Sequence, residues 1–174
     1  PDGRRLALTI YEASRADIWV WDFAREALSR VTSEGNNHAA IWTPDGERLV
    51  FSSDREGPQA NLWWARADGA GKAERLASSA NHQDPGSFSP DGKLLAFGEV
   101  DSSANYDIWL LHLDEGRRAE PFLNTKFAEH TPVISPDGKW IAYTSDESGR
   151  PEVYVQPFPK GGARYQISTE GGEE

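Results

Sequence analysis

Ser135-Pro136-Asp137-Gly138 recurs unchanged at Ser89-Pro90-Asp91-Gly92 and, with threonine in first place, at Thr43-Pro44-Asp45-Gly46; Pro1-Asp2-Gly3 opens the chain with a fourth copy. Proline presets φ for the second position of a tight turn, aspartate bonds its own backbone, and glycine takes the positive-φ position that closes a short hairpin loop. Each copy is followed by an apolar run: Leu6-Ala7-Leu8, Leu49-Val50-Phe51, Leu95-Ala96-Phe97 and Ile141-Ala142-Tyr143. The phrase therefore joins two antiparallel strands.

The turn prolines stand at positions 1, 44, 90 and 136, a period in the forties that marks a repeat architecture. Further along each repeat an acidic or amide residue heads an aromatic run: Asp17-Ile18-Trp19-Val20-Trp21, Asn61-Leu62-Trp63-Trp64, Asp107-Ile108-Trp109-Leu110 and Glu152-Val153-Tyr154-Val155. Strand one of each unit precedes the turn (His38 to Trp42; Gly86-Ser87-Phe88; Thr131 to Ile134), strand two follows it, and the aromatic run is strand three. A more polar strand four lies around Ser29 to Thr32, Glu74 to Leu76, Glu120 to Leu123 and Tyr165 to Ser168. Four short strands in a repeat of this length is the layout of a β-propeller blade. The sequence thus predicts an all-β chain of four-stranded antiparallel blades, about four repeats, forming a partial or half propeller. A single array spans 1–174: blade 1 about 1–33 without its first strand, blade 2 about 38–78, blade 3 about 82–124 and blade 4 about 129–168.

Composition agrees. Only 37% of residues are hydrophobic, yet there are seven tryptophans, as expected where large flat side chains fill the wedges between sheets. No stretch keeps helical spacing, and no apolar run is long enough to cross a bilayer. A net charge of −10 spread through the turns repels phosphate backbones, so nucleic acid is not an expected partner. The absence of cysteine removes disulfides, thiolate nucleophiles and thiolate metal sites together. Methionine is also absent, and the sequence opens at a turn, so it is expected to be a piece of a longer protein. Open blades leave exposed sheet faces and edges. Three resolutions stand: further blades outside this sequence, a homodimer that completes the ring, or imperfect closure of four blades.

These residues resemble the WD40-like PD40 repeat of TolB-type β-propellers. The third and fourth repeats, with Asp107-Ile108-Trp109, Pro121-Phe122-Leu123, Glu147-Ser148-Gly149-Arg150-Pro151-Glu152 and Pro157-Phe158-Pro159, are similar to the propeller region attached to certain bacterial serine/threonine protein kinases. The resemblance implies a sensing or interaction module with a protein or peptide partner, in a periplasmic or extracytoplasmic setting. No kinase motif is present, so that activity is not implied for this chain.

Comparing the same place in successive repeats, on the entry to the innermost strand, gives His38, Asp84 and His130. Equivalent residues of a propeller gather around one axis, so these three are the predicted binding residues at a channel mouth, with His82 beside Gln83 a weaker candidate. Imidazole with carboxylate suits a divalent metal, and propeller lyases similar to this family bind a metal through channel histidines. A water-bonded channel is the preferred reading, and no metal or other cofactor is predicted. Asn36, Asn37, Asn81 and Gln83 beside the entry offer amides to a sugar or peptide as well as to water. Asp54, Asp101 and Asp146 read as turn formers, and Asp17, Asn61, Asp107 and Glu152 as structural bonds to a neighbouring turn or strand. Trp19, Trp63, Trp109 and Tyr154 read as packing; exposed faces of Trp21, Trp42 and Trp64 are the place for sugar stacking. There is no G-x-S-x-G elbow, Walker loop or dinucleotide fingerprint, and paired carboxylates such as Glu173-Glu174 carry no weight in an acidic chain. The reading is a non-catalytic binding module; the rivals are a metal-assisted polysaccharide lyase or hydrolase and the gate of a serine peptidase.

Overall fold

A computed structural model describes residues 2–114 and 116–172; Pro1 of the first repeat phrase and the Glu173-Glu174 pair lie outside the described residues. Every regular element among the described residues is a β-strand. β1 (Arg5–Glu12), β2 (Arg15–Asp22) and β3 (Ala27–Arg30) form a three-stranded sheet in that order. β4 (Asn37–Trp42), β5 (Arg48–Ser53), β6 (Asn61–Arg66) and β7 (Glu74–Arg75) form the second sheet in sequence order. β8 (His82–Phe88), β9 (Leu94–Val100), β10 (Tyr106–His112) and β11 (Ala119–Leu123) form the third, and β12 (Glu129–Ile134), β13 (Trp140–Ser145), β14 (Glu152–Pro157) and β15 (Tyr165–Gln166) the fourth. The chain divides into two compact units, Pro1–Pro85 and Gly86–Glu174.

The repeated phrase folds as its chemistry dictates. In each of the three full copies the hydroxyl at the first position donates to the turn aspartate at 2.6 Å: Thr43 to Asp45, Ser89 to Asp91 and Ser135 to Asp137. The same hydroxyl accepts the amide of the residue that opens strand two, at 2.9–3.0 Å for Arg48, Leu94 and Trp140. The aspartate also accepts the amide two residues on, from Glu47, Lys93 and Lys139. Gly46, Gly92 and Gly138 hold φ of 70°, 71° and 68°, where a side chain would be strained. Hydrogen bonds from the hydroxyl and then from backbone amides hold all three carboxyls below their ordinary range.

The inner strands begin earlier than the apolar pattern indicates: β8 at His82 rather than Gly86, and β12 at Glu129 rather than Thr131. Polar and proline-bearing residues join these strands because β8 and β12 are sheet edges, where a missing donor faces no neighbour in the ladder. Of the outer strands, β7 and β15 are shorter than expected, β3 lies earlier in the chain than expected, and β11 begins at Ala119 rather than Glu120. In the first two blades a pair of amides converges on one carbonyl, Val31 and Thr32 on Ile18 and Leu76 and Ala77 on Leu62, which ends regular pairing.

Within the first unit Ile18, Val20, Leu49, Phe51, Trp63 and Ala65 form a buried cluster. Within the second, Ala96, Leu110, Ile134, Ile141 and Phe158 form one cluster and Ile108, Tyr143 and Tyr154 another. Trp63 and Tyr154 are buried, as expected of packing residues, while Trp19 and Trp109 are half-buried. The tryptophan faces considered for sugar stacking are partly occupied: Arg5 lies 4.8 Å over Trp42 and Arg48 lies 4.1 Å over Trp64.

Gly86 marks the tightest approach of backbone in the second unit. A Cβ there would stand 2.5 Å from the Pro132 carbonyl oxygen and 3.0 Å from that of Ala96, and backbone cannot rotate aside. Gly86→Ala is expected to cost about 1–3 kcal/mol of stability, the usual penalty for overpacking. Gly98→Ala, where nothing lies within 4 Å of the added atom, is expected to be neutral or stabilising. Urea denaturation of both variants checks the pair; equal loss at the two positions would refute the close approach.

Candidate functional site

The site is built on β4, β5 and β8 of the second and third blades, from residues of the first unit. β4 enters at Asn37, which is fully buried, so alternation turns the next residue, His38, to the other side. The strand then bulges between His38 and Ile41, with Ala39 at φ 53°. A bulge re-aims the side chains beside it. On β8, His82 and Asp84 are two residues apart and share one side of the strand, while Gln83 between them is buried.

These side chains converge. His82 Nε2 lies 2.9 Å from Asp84 Oδ2, and His38 Nε2 lies 3.3 Å from Asp84 Oδ1. The two imidazoles are stacked, with centroids 5.5 Å apart and planes 9° from parallel. Ser52, the register partner of His38 on β5, places its hydroxyl 2.6 Å from Asp84 Oδ1 and 2.6 Å from the Gln83 carbonyl, donating to this pair of acceptors. All three titratable side chains are roughly one-third exposed.

Burial disfavours the Asp84 carboxylate, but hydrogen bonds from His38, His82 and Ser52 outweigh it and hold the carboxyl well below the ordinary range. The hydrogen bond to Asp84 raises the pKa of His82 above 6.5 against the opposing effect of burial. The His82 contribution to stability is therefore present below its unfolded value and lost as pH rises through the raised one. That of Asp84 is present above its unfolded value and lost as pH falls through the depressed one.

Of the three predicted residues, His38 and Asp84 meet. His130 belongs to the second unit, half-buried, with its ring 5.5 Å from that of Tyr106. His82, the weaker candidate, is an integral member. Its signal was the spacing His82-x-Asp84, which on a strand means one face. Ser52 went unnoticed because serine in an apolar strand carries no mark until the register with His38 is known.

Two of the amides considered for ligand contact, Asn36 and Asn37, bond within the protein. Asn37 donates to Asp17 Oδ1 at 3.2 Å and accepts from Arg55 at 3.0 Å, and Asn36 Oδ1 accepts the Ala16 amide at 2.8 Å. Asp54 and Asp146 are turn formers that also accept the amides of Asn36 and Ala128, while Asp101 bonds within its own loop. A separate cleft of about 620 Å³ is lined by Glu56, Gln59, Trp63 and Arg75 among others. Its Arg75 and Glu56 neutralise each other at 2.6 Å.

Antiparallel sheets of three or four strands, three of them carrying the same hydroxyl–aspartate–glycine turn and polar side chains on the inner strand, define a repeat β-propeller protein. The chain belongs to the PD40 family: the TolB beta propeller domain matches residues 1–99. The Tol-Pal system protein TolB of Anaeromyxobacter dehalogenans is 36% identical over 78 residues, covering 45% of this chain and 18% of that relative's length. TolB from Acinetobacter baumannii superposes with a TM-score of 0.80 at 26% identity, over 99% of this chain and 42% of that one. A puromycin-hydrolyzing peptidase of Mycobacterium tuberculosis superposes with a TM-score of 0.69 at 16% identity, over 94% and 30% of the two chains, a likeness of fold alone.

Asp84→Asn weakens the hydrogen bond that lifts His82, removes the charge beside it and leaves its burial. The His82 titration midpoint, read from its ring signals by NMR, is expected above 6.5 in the native chain and below 6.5 in the variant. An unmoved midpoint would mean that the two residues do not pair.

Proposed function

We propose that the chain is a non-catalytic β-propeller module that binds a protein or peptide partner within a larger bacterial envelope or signalling protein, in a periplasmic or extracytoplasmic setting. Membership of the PD40 family supports the class, and the similarity to a Tol-Pal system protein supports the setting. The observation that carries the non-catalytic reading is the partner of Ser52. Its hydroxyl bonds Asp84 and a carbonyl rather than an imidazole nitrogen, so the cluster lacks the serine–imidazole pair of a serine hydrolase. No helix among the described residues is long and apolar enough to cross a membrane.

The metal-assisted lyase or hydrolase remains the second reading, because two imidazoles and a carboxylate do meet. A propeller attached to a kinase, or gating a serine peptidase, requires another domain on the same polypeptide, which the full gene reads directly.

A photo-cross-linking residue in place of His38 is expected to capture an envelope polypeptide, saturably and in competition with unlabelled chain, while the same group at the exposed Arg25 does not. Saturable capture absent at position 38, together with turnover of a polyuronide or peptide substrate that Asp84→Asn abolishes, would replace the binding reading with the enzymatic one.

The same proposal includes pairing of two copies to complete the ring. Light scattering behind size exclusion is expected to return twice the chain mass of 19.3 kDa. A monomer removes the pairing and leaves the partner binding to the cross-linking result.

A further inference from the structure

We propose that His38, His82 and Asp84 form a binding site for one divalent first-row transition cation of the zinc class, with Ser52 as the outer partner that orients Asp84. The inference rests on the geometry of the three side chains and holds whether or not the module binds a protein. One ligand atom from each lies within 4.8 Å of the others. The His38 nitrogen lies 3.3 Å from Asp84 Oδ1 and the His82 nitrogen 2.9 Å from Oδ2, two oxygens of one carboxylate, and a cation with bonds of about 2.0–2.1 Å would widen these separations only slightly. The donor set is also right in kind. Imidazole with carboxylate selects zinc and its neighbours, whereas calcium and magnesium require more oxygen donors.

The support around the ligands is what a metal site requires. His38 stands on β4 and His82 and Asp84 on β8, so the donors are set on strands rather than on mobile loops. The Ser52 hydroxyl on Asp84 Oδ1 fixes the carboxylate and leaves Oδ2 toward His82. Such outer hydrogen bonds orient ligands and commonly change metal affinity 10- to 100-fold. Without a cation, both Nε2 atoms face the carboxylate as donors. A cation takes the nitrogen lone pairs instead, with the remaining ring proton on Nδ1, and any second imidazole proton leaves to solvent. Three protein ligands leave a further coordination position open to water or an incoming donor.

Among the described residues, no such set surrounds the remaining histidines. His112 meets one carboxylate, Glu120, at 2.9 Å, and the ring contact of His130 is with Tyr106. This contrast makes the four histidines of the chain their own controls.

The chelator-stripped chain is titrated with zinc chloride by calorimetry and with cobalt(II), read by its visible absorption. One ion per chain is expected, with the saturable isotherm lost in His82→Ala and Asp84→Ala, weakened about 10-fold in Ser52→Ala and unchanged in His130→Ala. Histidine ring NMR of the native chain gives the same answer without a variant: zinc is expected to move the His38 and His82 signals and leave His112 and His130 in place. No saturable binding, equal affinity in a folded His82→Ala chain, or movement of His112 or His130 instead of His82 would each overturn the site.

Discussion

The blades depend on a polar side chain at the head of each third strand. Asp17 accepts hydrogen bonds from Thr32, Arg30 and Asn37, reaching the segment after strand four and the first strand of the next blade at once. Asn61 does the corresponding work by donating to the carbonyls of Ser79 and Asn81. Asp107 accepts from Asn124 at 3.0 Å, and Glu152 from Ser168, Arg150 and the Gly171 amide. The fourth strands need this latch because they cannot hold by burial: β7 and β15 are two residues each, and both are exposed. A buried carboxylate without partners costs more than a single hydrogen bond returns, so each latch must be made in full or not at all.

The latch and the turn phrase divide the stabilisation of a narrow blade between them. The hydroxyl and aspartate of the turn fix where strand two begins, and the latch fixes where strand four ends. Between them sit aromatic rings whose outer faces are covered by guanidinium groups: Arg30 over Trp19, Arg55 and Arg75 over Trp63, Arg48 over Trp64. This cover shields Trp19, Trp63 and Trp64 in a chain that carries seven tryptophans on a modest hydrophobic content.

The fold was legible because its signals are local and repeat. Pro-Asp-Gly dictates a turn wherever it stands, and the aromatic runs report their own strand. Strand ends were less so. That β3 stops at Arg30 follows from two amides sharing the Ile18 carbonyl, a tertiary fact. The site was half legible. Repeat alignment found His38 and Asp84, since both occupy the same place in adjacent blades. It also selected His130, because alignment ranks equivalent positions and has no term for departures from the repeat, which is where His82 belongs. Asn37 and Gln83 read in the sequence as amides beside the entry, and the alternation that turns His38 outward turns them in.

That alternation separates fold from function within one strand. Asn37, Gln83 and Glu129 occupy the buried side of the inner strands at 0–2% exposure, while His38, Asp84 and His130 beside them are half-buried, histidine in two blades and aspartate in the third. The inner strand is a sheet edge, so its free side can be altered without disturbing a ladder. What makes the third blade distinct is the residue before this pair. In the second and fourth blades it is Asn36 and Ala128, whose amides are held outside the strand by Asp54 and Asp146. At the matching point the third blade has Val100, the last residue of β9, and its nearby Asp101 turns to its own loop. With no such aspartate, β8 begins one residue earlier than its counterparts, at His82. A change in loop anchoring thereby adds one residue to a strand, and that residue completes the cluster with Asp84 and His38.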